Sequence, residues 1–312
     1  MKVPKLKLHH SLGERVRVAC GPVDLFHYVY APPTAPAEGI KPYFHPIKTL
    51  RGNTVTNFRP HDHLWHHGLA MTCAYLSCGG ELHNFWGGGT FVKDKGYVDL
   101  PNQGRIVHRS WTGMENAPSV YLDESLDWIT VAGKKIIEEK RVISIPEVNE
   151  HEDWWRLDLS MTLKNTAYDS LSFGSPSTHG RPMAGYGGLF WRGPRSFLEG
   201  KLLGPGGLAG DDIMGKAAPW VAFIGSHDGN AETSTLIFVD QPGNPRYPTK
   251  WFVRNNPFAV VSFSFMFDQE FALAPGAELK LNYRLIFADG ALSRDKIEEI
   301  ASARKAQKPL PL

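Results

Sequence analysis

The histidines of this 312-residue chain are unevenly distributed, and their clustering is the strongest chemical signal in the sequence. Six of the 13 histidines fall between positions 45 and 83: His45, His61, His63, His66, His67 and His83. Among side chains, imidazole titrates nearest to neutral pH, and it is the commonest protein ligand for metals. The cluster therefore predicts a site where histidine transfers protons or binds a metal.

The first interpretation is a metal-free polar cleft that binds a polyhydroxylated ligand. His63 and His66 are the predicted acid–base residues, and Asp62 is predicted to orient one of the two imidazoles. A carboxylate beside an imidazole determines which ring nitrogen carries the proton. On this interpretation we expect no cofactor.

The second interpretation is a mononuclear iron, copper or zinc site. If residues 61–63 form a strand, His61 and His63 point to the same side, as two metal ligands would, and His83 is the predicted third ligand. Asp62 would point to the opposite face of that strand. Because ligand spacing across loops is not diagnostic, a divalent metal stays an alternative to the metal-free cleft.

A third interpretation assigns the histidines no chemistry. They would then be surface residues, or they would satisfy buried backbone groups within a loop. For any single histidine this interpretation is favoured, but it explains a cluster of six less well.

Candidate binding residues lie both near the cluster and far from it along the chain. Tryptophan beside glycine, as at Trp86, is typical of a ring that stacks on a sugar face. Three prolines stiffen residues 240–248, which is what a preorganised binding loop requires. The predicted substrate-binding residues are His45, Arg51, His67, Trp86, His179, Asn244, Arg246, Trp251 and Arg254.

The elements that must position these residues are predicted to be strands. Apolar and polar residues alternate over residues 155–163, 261–267 and 277–287, as in strands with one buried face. The sequence has 31 Gly and 23 Pro, a density of helix breakers that helical bundles do not tolerate. Only residues 293–306 resemble a helix, with Ser293 as its N-cap. We predict an all-β fold, a large antiparallel β-sandwich with a short C-terminal helix, forming a single domain over residues 1–312; a barrel is the next alternative.

Composition excludes several classes of partner. With 34 Lys and Arg against 32 Asp and Glu, the net charge of +2 offers no electrostatic footprint for nucleic acid. No apolar run approaches the roughly 20 residues of a membrane span, and no signal peptide is apparent, so we expect a cytoplasmic protein. The expected partner is a small sugar-type molecule. An exposed sheet edge would allow a homo-oligomer.

Four motifs in order along the chain resemble the PmoA-like family of unknown function, also called methane oxygenase PmoA. They are Pro42-Tyr43-Phe44-His45-Pro46, Asp62-His63-x-x-His66-x-Gly68-Leu69, Phe85-Trp86-Gly87 and Asn244-Pro245-Arg246-x-Pro248. The resemblance extends over about residues 41–290 and implies a β-sandwich of the supersandwich kind found in aldose mutarotases. It also implies a link to carbohydrate catabolism. One departure is that many members have Arg where this chain has His67.

These observations favour a carbohydrate-active enzyme that uses a histidine-rich cleft for epimerase, lyase or hydrolase chemistry. One alternative is a carbohydrate-binding accessory protein without catalysis. The other is an oxygenase or lyase that depends on a histidine-bound metal.

Overall fold

The structure is a computed structural model that describes residues 6–116 and 119–303. The first eleven strands are β1 (Leu6–Ser11), β2 (Arg15–Cys20), β3 (Val23–Val29), β4 (Tyr43–Ile47), β5 (Leu69–Thr72), β6 (Tyr75–Cys78), β7 (Glu81–His83), β8 (Thr90–Val92), β9 (Gly96–Val98), β10 (Arg105–Glu115) and β11 (Val120–Ile129). The others are β12 (Lys135–Asn149), β13 (Trp154–Asn165), β14 (Leu171–Gly174), β15 (Gly188–Arg192), β16 (Lys201–Leu203), β17 (Trp220–Ser226), β18 (Thr233–Asp240), β19 (Trp251–Arg254), β20 (Val260–Phe263), β21 (Phe271–Leu273) and β22 (Glu278–Asp289). One α-helix follows, α1 (Arg294–Ser302).

Two eight-stranded antiparallel sheets form the body of the molecule. The first sheet has the order β1-β2-β3-β4-β5-β15-β20-β19, and the second has the order β10-β11-β12-β13-β22-β18-β17-β16. A four-stranded sheet, β21-β14-β6-β7, and the hairpin β8–β9 complete the strands of the described residues. The predicted all-β sandwich is confirmed.

Alternation of side chains along the strands builds the core between the two large sheets. In β13 and β22, Leu157 lies opposite Leu285, and both are buried against the first sheet's inward residues. In β15, Leu189 and Trp191 face this same core. Every second residue of such a strand must therefore face away from the core, and this decides which side chains of the first sheet are available for a site.

The helix packs on the outer face of the second sheet. Ile297, Ile300 and Ala301 pack with outward residues of that sheet, including Ile237 and Ile286. The side chain of the predicted N-cap, Ser293, accepts a hydrogen bond from the backbone N–H of Lys296. The C-terminal helix is thus confirmed, although α1 ends at Ser302 and positions 304–306 of the predicted range lie outside the described residues.

One predicted strand, and the strand assumed for the metal interpretation, differ from the structure. The strand predicted over residues 261–267 ends at Phe263, because the chain then turns and the backbone N–H of Phe267 bonds the carbonyl of Ser264. Residues 61–65 form successive turns instead of a strand: the N–H of His63 bonds the carbonyl of Pro60, and the N–H of His66 bonds that of His63. Proline removes a ladder donor at this point. The strand geometry assumed for a His61–His63 metal pair is therefore wrong.

Within residues 6–116 and 119–303, no helix has the length and apolar character needed to span a membrane.

Candidate functional site

A cavity of about 450 Å³ lies on the outer face of the first sheet. Strand alternation places its walls: in β15, Phe190 faces the cavity while its neighbours Leu189 and Trp191 face the core. In β19, Phe252 and Arg254 line the cavity. The lining residues are His63, Trp65, His66, Trp86, Gly89, Tyr97, Arg181, Tyr186, Phe190, Phe252, Arg254, Pro257 and Phe258.

A carboxylate and an imidazole are paired at the cavity wall. Asp62 Oδ2 lies 2.9 Å from His63 Nδ1, and both side chains are about one-third exposed. Because a carboxylate only accepts, the neutral His63 ring donates from Nδ1 and keeps a lone pair on Nε2. No described residue bonds Nε2, so the geometry suits a base that faces the cavity.

Arg192 holds this pair in place. Its guanidinium donates to both oxygens of Asp62, at 3.1 and 3.3 Å, and its Cζ lies 4.3 Å from the ring centre of Phe258. Partial burial alone would raise the pKa of Asp62, but the hydrogen bonds from His63 and Arg192 outweigh it and lower the pKa to about 2. Asp62 is therefore a fixed negative charge across the physiological pH range.

His66 is the second histidine of the cavity, and its protonation is set by Arg192. The guanidinium lies 3.1 Å from His66 Nδ1 and only donates, so Nδ1 carries the lone pair and Nε2 the proton. Burial, together with the neighbouring His63 and Arg192, lowers the pKa of His66 well below its usual value. The ring stacks on His63 with centroids 4.6 Å apart. His66 thus presents a neutral N–H donor, in contrast to the acceptor nitrogen of His63.

Aromatic rings form most of the cavity surface. Trp86 packs against Tyr186 at 4.7 Å and against Phe190 at 4.6 Å between ring centres. Trp65 approaches the backbone of Gly88, where a Cβ atom would lie 2.7 Å from its indole ring. Gly88 has φ +62°, so the glycine meets both the backbone and the packing requirement. These rings offer flat apolar faces of the kind on which sugar rings stack.

A buried lysine supports the two tryptophans from behind. Lys41 is 1% exposed, and its Nζ donates to the carbonyl oxygens of Trp86 at 2.8 Å and Trp65 at 3.3 Å. It also donates to the carbonyls of Glu38 and Gly39. One ammonium group thus joins three loop segments that position the cavity wall.

The charged groups of the cavity surface are cationic. Arg181 and Arg254 line it, and none of the lining residues found in the described chain is Asp or Glu. Arg181 contacts the Tyr97 hydroxyl, whose oxygen lies 2.8 Å from the hydroxyl of Tyr186. Arg254 lies over the ring of Phe252 at 5.5 Å. Anionic groups are what such a surface attracts.

Four of the twelve predicted catalytic and binding residues line this cavity, namely His63, His66, Trp86 and Arg254. Asp62 adjoins it through His63.

Two predicted binding histidines lie behind the cavity. His45 stacks on Phe58, and its Nδ1 lies 2.9 Å from the Thr56 hydroxyl. His67 is 1% exposed, with Nε2 3.0 Å from the Leu64 carbonyl. Burial lowers the pKa of both. They satisfy loop groups and do not reach the cavity.

Two further predicted residues lie on other surfaces. Arg51 pairs with Asp153 at 2.6 Å. His179 stacks on Tyr75 with ring centres 4.0 Å apart, and its Nε2 lies 3.7 Å from Glu270. Neither lines the cavity, because these contacts hold each ring or guanidinium elsewhere.

The three remaining predicted residues serve the fold. Asn244 is buried and bonds Asp240 and the backbone of Asn282. Arg246 donates to backbone carbonyls, including that of Phe265 at 2.8 Å. Trp251 is fully buried, and its indole N–H bonds the Ala218 carbonyl. The stiff loop is thus a pinned connection between strands.

The predicted metal ligands are not assembled into one set. His61 contacts Arg195, His63 bonds Asp62, and His83 is buried with Nε2 3.8 Å from Glu81. Across the part of the chain that the structure describes, no group of three or more His, Cys, Asp or Glu side chains is arranged to hold a metal ion.

Several site residues were not predicted from the sequence. Arg192 contacts His66 directly and His63 through Asp62. Its local sequence distinguishes it only in that it lies two positions after Phe190 on β15 and so faces the same side of the sheet. Tyr97, Arg181 and Tyr186 arrive from segments distant in the chain. Only tertiary packing brings them together.

Comparison with known proteins adds little on activity. No curated protein matches the sequence. Among solved structures, the galactose 1-epimerase from Lactobacillus acidophilus NCFM aligns with a TM-score of 0.39 and 8% identity, over 92% of this chain and 100% of that one. The alpha-galactosidase from Lactobacillus brevis aligns with a TM-score of 0.39 and 7% identity, over 95% of this chain. This chain spans 41% of that galactosidase's length.

The family assignment rests on the sequence itself. Residues 15–302 match the model of a family of unknown function, DUF6807, whose description names no activity and neither PmoA nor methane oxygenase. This match supports one part of the predicted resemblance, namely that the family has no known function. Because the match covers most of the chain, the protein belongs to the DUF6807 family.

Proposed function

We propose that the protein is a carbohydrate-active enzyme in which His63 exchanges protons with a sugar-type ligand bound in the aromatic cavity. The observation that carries this proposal is the Asp62–His63 pair at 2.9 Å, since His63 lines the cavity and no described residue bonds its Nε2. Asp62 orients the imidazole and stabilises its charged form when a proton arrives. The N–H of His66 beside it donates to a ligand oxygen.

The reaction class follows from which groups the cavity contains. Hydrolysis by paired carboxylates needs two Asp or Glu side chains flanking the bond, and the lining residues of the described chain include neither. A single imidazole base with a neighbouring donor suits epimerisation or elimination instead. We therefore propose an isomerase or lyase in preference to a two-carboxylate hydrolase.

The proposal is tested by proton NMR in D2O with a panel of glucose, galactose, their methyl glycosides, glucuronate and galacturonate. Turnover appears as new resonances, or as loss of a ring proton that exchanges with solvent. The parent protein should convert at least one member, and His63→Ala should lower that rate by about 10²–10⁴. His151→Ala, an exposed histidine outside the cavity, is the matched control and should leave the rate unchanged.

Two results would count against the proposal. Full turnover by His63→Ala would remove the proton-transfer role. Saturable sugar binding with no turnover in the parent would instead establish a carbohydrate-binding protein without catalysis.

A further inference from the structure

We propose that the ligand of the cavity is a sugar acid, whose carboxylate is held by Arg254 and Arg181. This inference rests on the proposed function and narrows its substrate class. It rests on two observations about the described residues. The charged side chains that line the cavity are positive, and neither of its two arginines is paired with a carboxylate. Both points are independent of the Asp62–His63 pair.

Arg254 is the stronger anchor. Within the described chain it forms no ion pair and donates no side-chain hydrogen bond, and its guanidinium lies over the Phe252 ring at 5.5 Å. An arginine beside aromatic rings loses solvation and is stabilised by an anion that returns hydrogen bonds to its five donors. Arg254 lies two positions after Phe252 on β19, so both side chains face outward from the sheet and line the cavity.

Arg181 is the second anchor, and it is only partly engaged. It contacts the Tyr97 hydroxyl and lies 5.1 Å over the Tyr97 ring, but no carboxylate of the described residues pairs with it. The other arginine near the cavity, Arg192, differs because Asp62 neutralises it. Among the described residues, the cavity lining therefore has two guanidinium groups and no carboxylate to pair with them.

A carboxylate suits these two groups. Its two oxygens match the planar fork of a guanidinium, and such charge-assisted pairs are stronger than neutral hydrogen bonds. The surrounding rings, Trp86 and Phe190 among them, leave apolar faces for the sugar ring itself. A neutral sugar would leave both cations unpaired in the bound state.

The test is isothermal titration of the intact protein with glucuronate and galacturonate against glucose and galactose, and with glucose 6-phosphate as a second anion. At least one acid should bind about tenfold or more tightly than its neutral counterpart, since a hydrogen bond to a charged group is worth that ratio or more. Arg254→Gln should weaken acid binding about tenfold or more and weaken neutral-sugar binding by a clearly smaller factor. Arg254→Lys should fall between the two, because it keeps the charge and loses the fork.

Arg105→Gln is the matched control, since Arg105 is exposed on β10 and lies outside the cavity. Equal affinity for acids and neutral sugars would overturn the inference and leave the proposed function intact. Tighter binding of glucose 6-phosphate than of either acid would overturn the carboxylate assignment. If no sugar of any kind binds and His63→Ala changes no activity, the proposed function fails with it.

Discussion

Two histidines that stack on each other have opposite hydrogen-bonding roles at this site. Asp62 accepts from His63 Nδ1, whereas Arg192 donates to His66 Nδ1, so the proton sits on Nδ1 of one ring and on Nε2 of the other. The sequence predicted both as acid–base residues, and neither assignment has been tested. The geometry favours His63 for proton transfer, because the lowered pKa of His66 keeps that ring neutral.

The role of Asp62 is to position His63, and Asp62→Asn tests it. An asparagine amide donates to Nδ1 as readily as it accepts, so the ring can adopt the tautomer with the proton on Nε2. We expect kcat on the substrate found by NMR to fall about 10²–10⁴, with KM changed little. Asp62→Glu should recover part of the lost kcat. Equal losses in both variants, or a change confined to KM, would show that Asp62 does not set the tautomer.

At the scale of elements, the alternation of side chains along β19 explains which of its predicted residues reach the cavity. Trp251 and Arg254 lie three positions apart on β19, so their side chains face opposite sides of the sheet. Trp251 packs in the core and Arg254 lines the cavity. The sequence predicted both for one site, although two residues an odd number apart on a single strand cannot share a face.

Strands with regular alternation were predictable, and the site loops were not. The alternation over residues 155–163 and 277–287 reports burial directly, and both segments are strands, β13 and β22. A strand at residues 61–63 would have put His61 and His63 on one face, but Pro60 and two successive turns replace it. The cytoplasmic location, the single domain and the PmoA-like resemblance stay predictions.

Lys41 joins the loops that form the cavity wall, and Lys41→Met tests its contribution. Methionine fills similar volume but leaves the carbonyls of Trp65, Trp86, Glu38 and Gly39 without this donor. We expect the free energy of unfolding in urea to fall by about 2–4 kcal/mol. Lys201→Met, at an exposed position, should change it by less than about 0.5 kcal/mol. A loss no larger than this control would show that water replaces the ammonium.

At the scale of the whole molecule, a buried polar network connects the two large sheets. Tyr28 on β3 donates to Glu124 on β11, and Arg141 on β12 donates to the Tyr28 hydroxyl at 3.0 Å. Arg141 also donates to Glu139 at 2.7 Å, and Glu139 accepts from the Trp128 indole. The buried carboxylate of Glu139 thus depends on the Arg141 guanidinium, whereas Glu124 also has His108 Nδ1 at 2.7 Å from its Oε1. The network lies away from the cavity.

Arg141→Met tests that dependence. The variant leaves Glu139 without the cation that bonds it and removes a positive charge near Glu124, and breaking a buried pair in this way costs about 3–5 kcal/mol of unfolding free energy. Burial already raises the pKa of Glu124, and loss of Arg141 should raise it further. The folded variant then binds more protons than the unfolded chain above the usual carboxyl pKa, so its stability must fall as the pH rises.

Urea unfolding at pH 5 and pH 8 measures the effect. The difference between parent and Arg141→Met should be larger at pH 8, where Glu124 must ionise in the folded state without the positive charge of Arg141 nearby. Arg105→Met, on the exposed surface of the same sheet, should cost less than about 0.5 kcal/mol at either pH. A difference that does not change with pH would mean that lost packing around Arg141, and not the loss of its charge near Glu124, destabilises the sandwich.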